Sequence, residues 1–261
     1  MSQILILTGG SSGIGKAAAE LFAEKGYRVY ELSRSGKSHG DICHLDCDVT
    51  SEQQVCAAVE EVVRREGRID VLLSCAGCGI SGAVEFTSTQ EAHRQFEVNL
   101  FGSFYVVKAV LPVMRRQHAG MILFTSSIAA ILSIPYQSFY SATKSAINAL
   151  ALALRNEVAP FGIRVSALMP GDVSTGFTAA RAKSSAGEDV YVSMKRAVET
   201  MEKDEREGMS PERLARKLYS ISQKRNPAPL YTEGLSYQIF WFLEKLLPKR
   251  FSNWIVGKLY S

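Results

Sequence analysis

Short apolar runs rich in β-branched residues alternate with longer segments whose apolar positions recur every three or four residues, and this alternation fills the first two thirds of the chain. Ile4 to Leu7, Arg28 to Leu32, Ile42 to Leu45, Val71 to Ser74, Met121 to Phe124 and Val165 to Leu168 read as strand cores. Between them Lys16 to Lys25, Glu52 to Arg65, Glu91 to Arg116 and Phe139 to Val158 carry the spacing of amphipathic helices. Apolar strands separated by helices bury a parallel sheet on both faces, so the pattern predicts an α/β fold with a doubly wound parallel sheet. Pro160-Phe161-Gly162 supplies the stop between the last of these helices and the strand after it.

Beyond Phe177 the periodicity loosens into Ala, Ser, Lys and Glu, until Ser210-Pro211-Glu212 opens another helix with a capping serine and a proline in its first turn. Residues 177–220 therefore read as a lid over a substrate site, within one domain spanning residues 1–261. The last segment, residues 235–261, is dense in Phe, Trp, Leu and Ile, with Lys245, Lys249, Arg250 and Lys258 among them. It reads in three ways: a helical cap over the pocket, a subunit contact, or an interfacial helix touching a membrane surface.

Composition narrows the class. At 46% hydrophobic and 21% charged the chain is ordinary for a folded soluble protein, and a net charge of +4 without a long basic run does not favour nucleic acid as a partner. The start of the chain lacks the basic and small-residue flanks of a signal peptide, and the reading finds no stretch of the ~20 apolar residues a spanning helix needs, so a cytoplasmic protein is expected. Five cysteines form no regular framework and are expected as free thiols. Cys43, His44 and Cys47, and the Cys75-x-x-Cys78 pair, are weighed as metal ligands and set aside in favour of buried thiols, because they fall at strands and strand ends.

The first strand runs into Thr8-Gly9-Gly10-Ser11-Ser12-Gly13-Ile14-Gly15 and then directly into a helix. Glycines allow a tight turn and close backbone approach, and the helix N-terminus presents free N–H groups to an anion, which is the arrangement a dinucleotide pyrophosphate needs. Gly13-Ile14-Gly15-Lys16-Ala17-Ala18 also fits GxGxxA. Selection between cofactors is read at the end of the second strand. Ser33 leaves room there and Arg34 offers a planar fork to a 2′-phosphate, which favours NADP(H) over NAD(H), unless the strand ends earlier and Glu31 is the selecting acid.

Tyr140 and Lys144 stand four residues apart and so share one face of a helix, where an ammonium could lower the pKa of a phenol towards a range useful for proton transfer. With the glycine turn, and with Ser127 thirteen residues before Tyr140, this spacing resembles the short-chain dehydrogenase/reductase family, from about Ile4 to Thr175. Asp48-Val49 is similar to the adenine-contacting pair of that family. Asn99-Leu100-Phe101-Gly102 resembles the segment carrying its catalytic asparagine, and Pro170-Gly171-Asp172-Val173-Ser174-Thr175 completes the series. Where the family usually has Asn-Asn-Ala-Gly, this chain has Ser74-Cys75-Ala76-Gly77, which implies altered local hydrogen bonding at Cys75.

The resemblance implies a Rossmann-like oxidoreductase interconverting a carbonyl and a secondary alcohol. It makes Tyr140 the proton donor, Ser127 the partner of the substrate oxygen, Lys144 the group that lowers the phenol pKa and holds the nicotinamide ribose, and Asn99 the anchor of a water in a proton relay. The implied cofactor contacts are Gly9, Ser11, Ser12, Gly13, Ile14, Gly15, Ser33, Arg34, Asp48, Val49, Ala76, Gly77, Tyr140, Lys144, Pro170, Gly171, Val173 and Thr175. Ile80, Ile134, Tyr136 and Phe177 are the apolar candidates for a pocket taking a lipophilic, steroid-like or acyl-derived ketone, with reduction the favoured direction. A homo-oligomer, dimer or tetramer, is expected. The rival reading is a dinucleotide-sensing protein of the same fold without catalysis, which the presence of all four catalytic residue types disfavours.

Overall fold

The computed structural model describes residues 2–260. The strands are β1 (Ile4–Thr8), β2 (Arg28–Ser33), β3 (Ile42–Asp46), β4 (Val71–Ser74), β5 (Ile80–Ser81), β6 (Gly120–Thr125), β7 (Ile163–Met169), β8 (Ala182–Lys183) and β9 (Leu230–Thr232). The helices are α1 (Gly13–Glu24), α2 (Glu52–Glu66), α3 (Thr89–Phe96), α4 (Gly102–Gln117), α5 (Ser138–Val158), α6 (Phe177–Ala180), α7 (Met194–Arg206), α8 (Pro211–Ser222), α9 (Leu235–Leu246) and α10 (Lys249–Leu259). Seven strands form one parallel sheet in the order β3-β2-β1-β4-β6-β7-β9, and β5 with β8 makes a separate short parallel pair.

Every residue of β1 is buried, because its two side-chain sets enter opposite cores. Ile4 and Ile6 join Val55, Val59, Val106, Val110, Ile147 and Leu154 on the face covered by α2, α4 and α5. Leu5 and Leu7 join Ala18, Phe22, Ala215, Leu218 and Ile221 on the face covered by α1 and α8. The order reverses direction between β1 and β4, and the connections leaving those two strands diverge there to form a crevice at the carboxyl edge of the sheet. Thr8, at the end of β1, spans that crevice: its Oγ1 accepts from the backbone N–H groups of Cys75 and Ala76, each at 3.2 Å.

The six expected strand cores are all present, and the doubly wound parallel sheet is observed. Four elements differ from the expectation. The seventh sheet strand, Leu230–Thr232, has only three residues, too few to show a period. The helix expected over Glu91 to Arg116 is interrupted by a π-helical turn at Glu97–Phe101. The stretch read as a lid over 177–220 divides: α8 is a core helix, with Leu214, Ala215, Leu218 and Ile221 buried, because its strong apolar stripe packs on α1. Finally, the helix Thr89–Gln117 is long and apolar enough by length and composition to cross a membrane, contrary to the sequence reading. Its residues Val106, Val107, Val110, Val113 and Met114 are buried, however, and belong to the core against the sheet.

Because Thr8 is 1% exposed and is the side chain that holds the β4 loop at the crevice, Thr8→Val is expected to cost about 1–3 kcal/mol by removing the acceptor of two backbone N–H groups. Chemical denaturation of the variant against the wild-type chain checks this.

Candidate active site

The crevice opens into a cleft of about 410 Å3 lined by the carboxyl ends of β1, β2, β4, β6 and β7 and by the turns that follow them. At one end, α1 begins at Gly13 and its first turn carries no acidic residue and no side-chain cap from Ser12, so its free N–H groups remain available to an anion. Gly9 adopts φ +74°, and a Cβ there would stand 2.8 Å from Ala76 Cα. At Gly15 a Cβ would strike the Gly9 carbonyl. Two turns can therefore meet around a bound pyrophosphate only because both positions lack a side chain. This cradle fits the diphosphate of a nicotinamide dinucleotide.

Strand β2 continues through Ser33, which places Ser33, exposed Arg34 and Ser35 in the cleft lining. Glu31 points elsewhere: it is 3% exposed and its Oε2 lies 2.5 Å from His44 Nδ1. Burial works against the charge on His44, yet the bonds to Glu31 and Asp46 outweigh it and raise the imidazole pKa. The same contacts occupy both ring nitrogens of the histidine that had been weighed as a metal ligand. Asp48 accepts from the backbone and hydroxyl of Thr50, which holds its carboxyl below the usual range, with help from Arg34 and Arg94. Arg94, on α3, is a cleft residue that the sequence reading missed; a lone arginine on a solvated helix face gives no signal of it.

At the other end stand Ser127, Tyr140 and Lys144. Ser127 follows β6 and caps the turn at Ile128–Ala130, its Oγ accepting from Ala129 N at 3.1 Å. Its hydroxyl stands on the side of the Tyr140 phenol, where it acts to lower the phenol pKa. Lys144 is one turn further along α5, 6% exposed, donating from Nζ to the Thr125 carbonyl at 2.8 Å and lying 5.7 Å from the Tyr140 ring centroid. Burial dominates both titrations. It pushes the phenol up to about 12, partly offset by the Ser127 hydroxyl, and drives the Lys144 ammonium down to about 8. Lys144, one turn from the phenol, opposes that rise when its ammonium is charged.

Asn99 stands behind the cleft. It sits in the π-helical turn, 1% exposed and outside the cleft lining. Its Oδ1 accepts from Cys78 N at 2.8 Å, and its Nδ2 donates to Cys78 O and to Thr143 Oγ1, both at 3.1 Å. Both amide hydrogens fasten the β4 loop onto α5, so Asn99 helps to position the site. Cys75, where the family asparagine would stand, pairs its Sγ with Thr125 Oγ1 at 3.1 Å, and burial lifts its thiol to about 11.

The remaining expected contacts, Ser11, Ser12, Ile14, Val49, Ala76, Gly77, Pro170, Gly171, Val173 and Thr175, all line the cleft. Of the apolar candidates, Ile134 and Phe177 line it, with the Phe177 ring 5.8 Å from that of Tyr140. Ile80 is held in the short pair with β8, and Tyr136 is turned away at φ +61° with its hydroxyl 2.8 Å from Ser193 Oγ. Asp172, inside the Pro170–Thr175 motif, lines it too, as do Gln137 and Glu205, which no motif announced.

Residues 3–186 match the family described as short chain dehydrogenase. The chain is 42% identical over 229 residues to a 3-ketodihydrosphingosine reductase of Bacteroides thetaiotaomicron, covering 86% of this chain and 85% of the relative. It is 36% identical over 186 residues to a 3-oxoacyl-[acyl-carrier-protein] reductase of Homo sapiens, covering 68% and 78%. Among solved structures it resembles a short-chain dehydrogenase of Streptomyces avermitilis, with a TM-score of 0.82 at 28% identity over 94% of each chain. It also resembles ElxO with NADP bound, with a TM-score of 0.77 at 25% identity, over 92% of this chain and 100% of that one. A glycine cradle at the switch point, a buried Tyr140 and Lys144 beside Ser127, and matches of this extent have one reading: the chain belongs to the short-chain dehydrogenase/reductase family and is an oxidoreductase.

Proposed function

We propose that the protein is an NADP(H)-dependent carbonyl reductase whose substrate is a ketone on a long-chain lipid, of the kind 3-ketodihydrosphingosine represents. The observation that carries the reading is the grouping of Ser127, Tyr140 and Lys144 in a cleft whose wall includes Ile134 and Phe177. The relative at 42% identity supports the lipid ketone, and the NADP bound by ElxO supports the cofactor. Arg34 and Arg94 add two cations at the adenosine end, where Glu31 is withdrawn into its bond with His44. The intact catalytic set speaks against a sensor without chemistry. Exposed Phe101 and Phe104, clustered with Tyr105, support self-association of the chain, and five free thiols support a reducing compartment.

A bound nicotinamide dinucleotide supplies the hydride. Ser127 and Tyr140 both offer an O–H to the carbonyl oxygen, and as negative charge grows there Tyr140 passes its proton to it. With its pKa near 12, the phenol holds that proton throughout the neutral range, which suits reduction. The phenolate left behind is stabilised by the Ser127 hydroxyl and by the protonated form of Lys144. Asn99 and Thr143 hold α5 against the β4 loop, so the three groups keep their mutual placement.

Tyr140→Phe is expected to lower turnover by about 10²- to 10⁴-fold, the usual worth of a positioned general acid, with dinucleotide binding retained in a fluorescence titration. Arg34→Ala is expected to shrink the preference for NADPH over NADH by about tenfold or more, since a charge-assisted bond to phosphate is worth about 1.5–3 kcal/mol. The ammonium of Lys144 attracts an anionic cofactor and is lost as pH rises through about 8, so dinucleotide affinity is expected to weaken from pH 7 to 9. Lys144→Met should flatten that profile; an equally steep one assigns the titration to another group.

A further inference from the structure

Helix α9 contains no buried residue, although it is among the most apolar segments of the chain. Only Tyr237, Trp241 and Glu244 along one side of it, together with Leu247 just past its end, are half covered. Leu235, Ile239, Phe242 and Leu246 form a stripe on another side and are all exposed, Phe242 by 61% and Leu246 by 65%. Helix α10 adds Phe251 and Trp254, whose rings stack 5.8 Å apart, and Leu259. Nine of the sixteen large apolar side chains exposed among the described residues lie on these two helices, which is a concentrated patch rather than scattered surface exposure.

Charge says what covers the patch. Residues 235–260 carry Lys245, Lys249, Arg250 and Lys258 against Glu244 alone, four positive and one negative, for a net +3. Two copies of the chain meeting across this patch about a two-fold axis would oppose like charges. An anionic lipid surface meets both the cations and the apolar stripe, and tryptophan with a cation beside it, as Trp241 has in Lys245 at 4.0 Å, suits the headgroup boundary. The covered side of α9 reaches the catalytic cleft. Tyr237 donates from its hydroxyl to Asp172 Oδ2 at 2.5 Å, accepts from Asp172 N at 3.1 Å, and lays its ring where any side chain at Gly171 would stand.

We propose that α9 and α10 dock the protein on the surface of an anionic lipid bilayer, with the cleft-lining loop at Pro170–Thr175 fastened to the docked element through Tyr237. Entry of a long-chain ketone from the bilayer into the cleft rests on the proposed function; the docking itself does not.

The two tryptophans of the chain, Trp241 and Trp254, both lie in this segment, so selectively excited tryptophan emission reports on it alone. Adding phosphatidylglycerol-containing vesicles to the full-length protein should shift that emission to the blue and carry the protein into the vesicle pellet. Binding should be at least tenfold weaker on pure phosphatidylcholine vesicles and in high salt. Phe242→Glu combined with Leu246→Glu should weaken vesicle binding at least tenfold, with circular dichroism and thermal midpoint unchanged because both side chains are exposed. Emission and sedimentation indifferent to anionic vesicles overturn the proposal, as does equal binding to neutral ones. If the wild type ignores vesicles and the double variant converts a dimer to a monomer, the patch belongs to a second copy. Vesicle binding by an enzyme that reduces no ketone would leave docking standing and reject the proposed substrate instead.

Discussion

Much of the molecule depends on how closely two chain turns can approach at the crevice between β1 and β4. Gly9 must come within contact of Ala76, and Gly15 must pack on Gly9 itself, so any side chain at either position would push the turns apart. Thr8 then supplies the attraction that sterics alone would not, its one hydroxyl accepting from two successive N–H groups. Because β1 is buried on both faces, this contact is fixed to the rigid centre of the sheet. The free N-terminus of α1, the Ser33 and Arg34 tip and the Cys75 loop inherit their positions from it.

The chemical end of the cleft is governed by desolvation. Burying Tyr140 and Lys144 together raises one pKa and lowers the other, so in this structure the phenol keeps its proton firmly while the ammonium is close to releasing its own. Two groups poised in opposite senses make a site that responds to what binds: an anion restores charge to Lys144, and a charged Lys144 makes the phenolate easier to form. The thiols around them stay neutral, since burial lifts Cys75 and Cys78 as well. Asn99 contributes by rigidity, closing a bridge from Cys78 to Thr143 behind the reacting groups.

How much of this was legible in the sequence follows from the range of the interactions involved. The strands, the glycine turn and the Tyr140 to Lys144 spacing are local patterns, and the structure places them as expected. Asn99 was located by its motif, but its partners are 21 and 44 residues away, and only the folded chain shows what its amide bonds. The π-helical turn that sets it there leaves no mark in a three- or four-residue period. Arg94 and Glu205 enter the cleft from helices whose surfaces look solvated in sequence. Helix α8 was read as part of a lid because the segment before it is loose, whereas its own stripe of Leu214, Leu218 and Ile221 belongs to the core.

The C-terminal helices show the converse. Their sequence alone left a cap, a subunit contact and a membrane helix open, and the fold speaks against the cap by showing which side is covered. A cap over the pocket would bury its apolar stripe, yet Phe242 and Leu246 face solvent while the polar hydroxyl of Tyr237 faces inward to Asp172. Burial raises the pKa of that aspartate and of the phenols of Tyr237 and Tyr260 near it, so the joint between α9 and the cleft loop consists of groups that pay to be charged and are held together by hydrogen bonds. Such a joint resists separation from water's side. The covered side of α9 is thus fastened to the wall of the cleft, with the Tyr237 ring standing where any side chain at Gly171 would be.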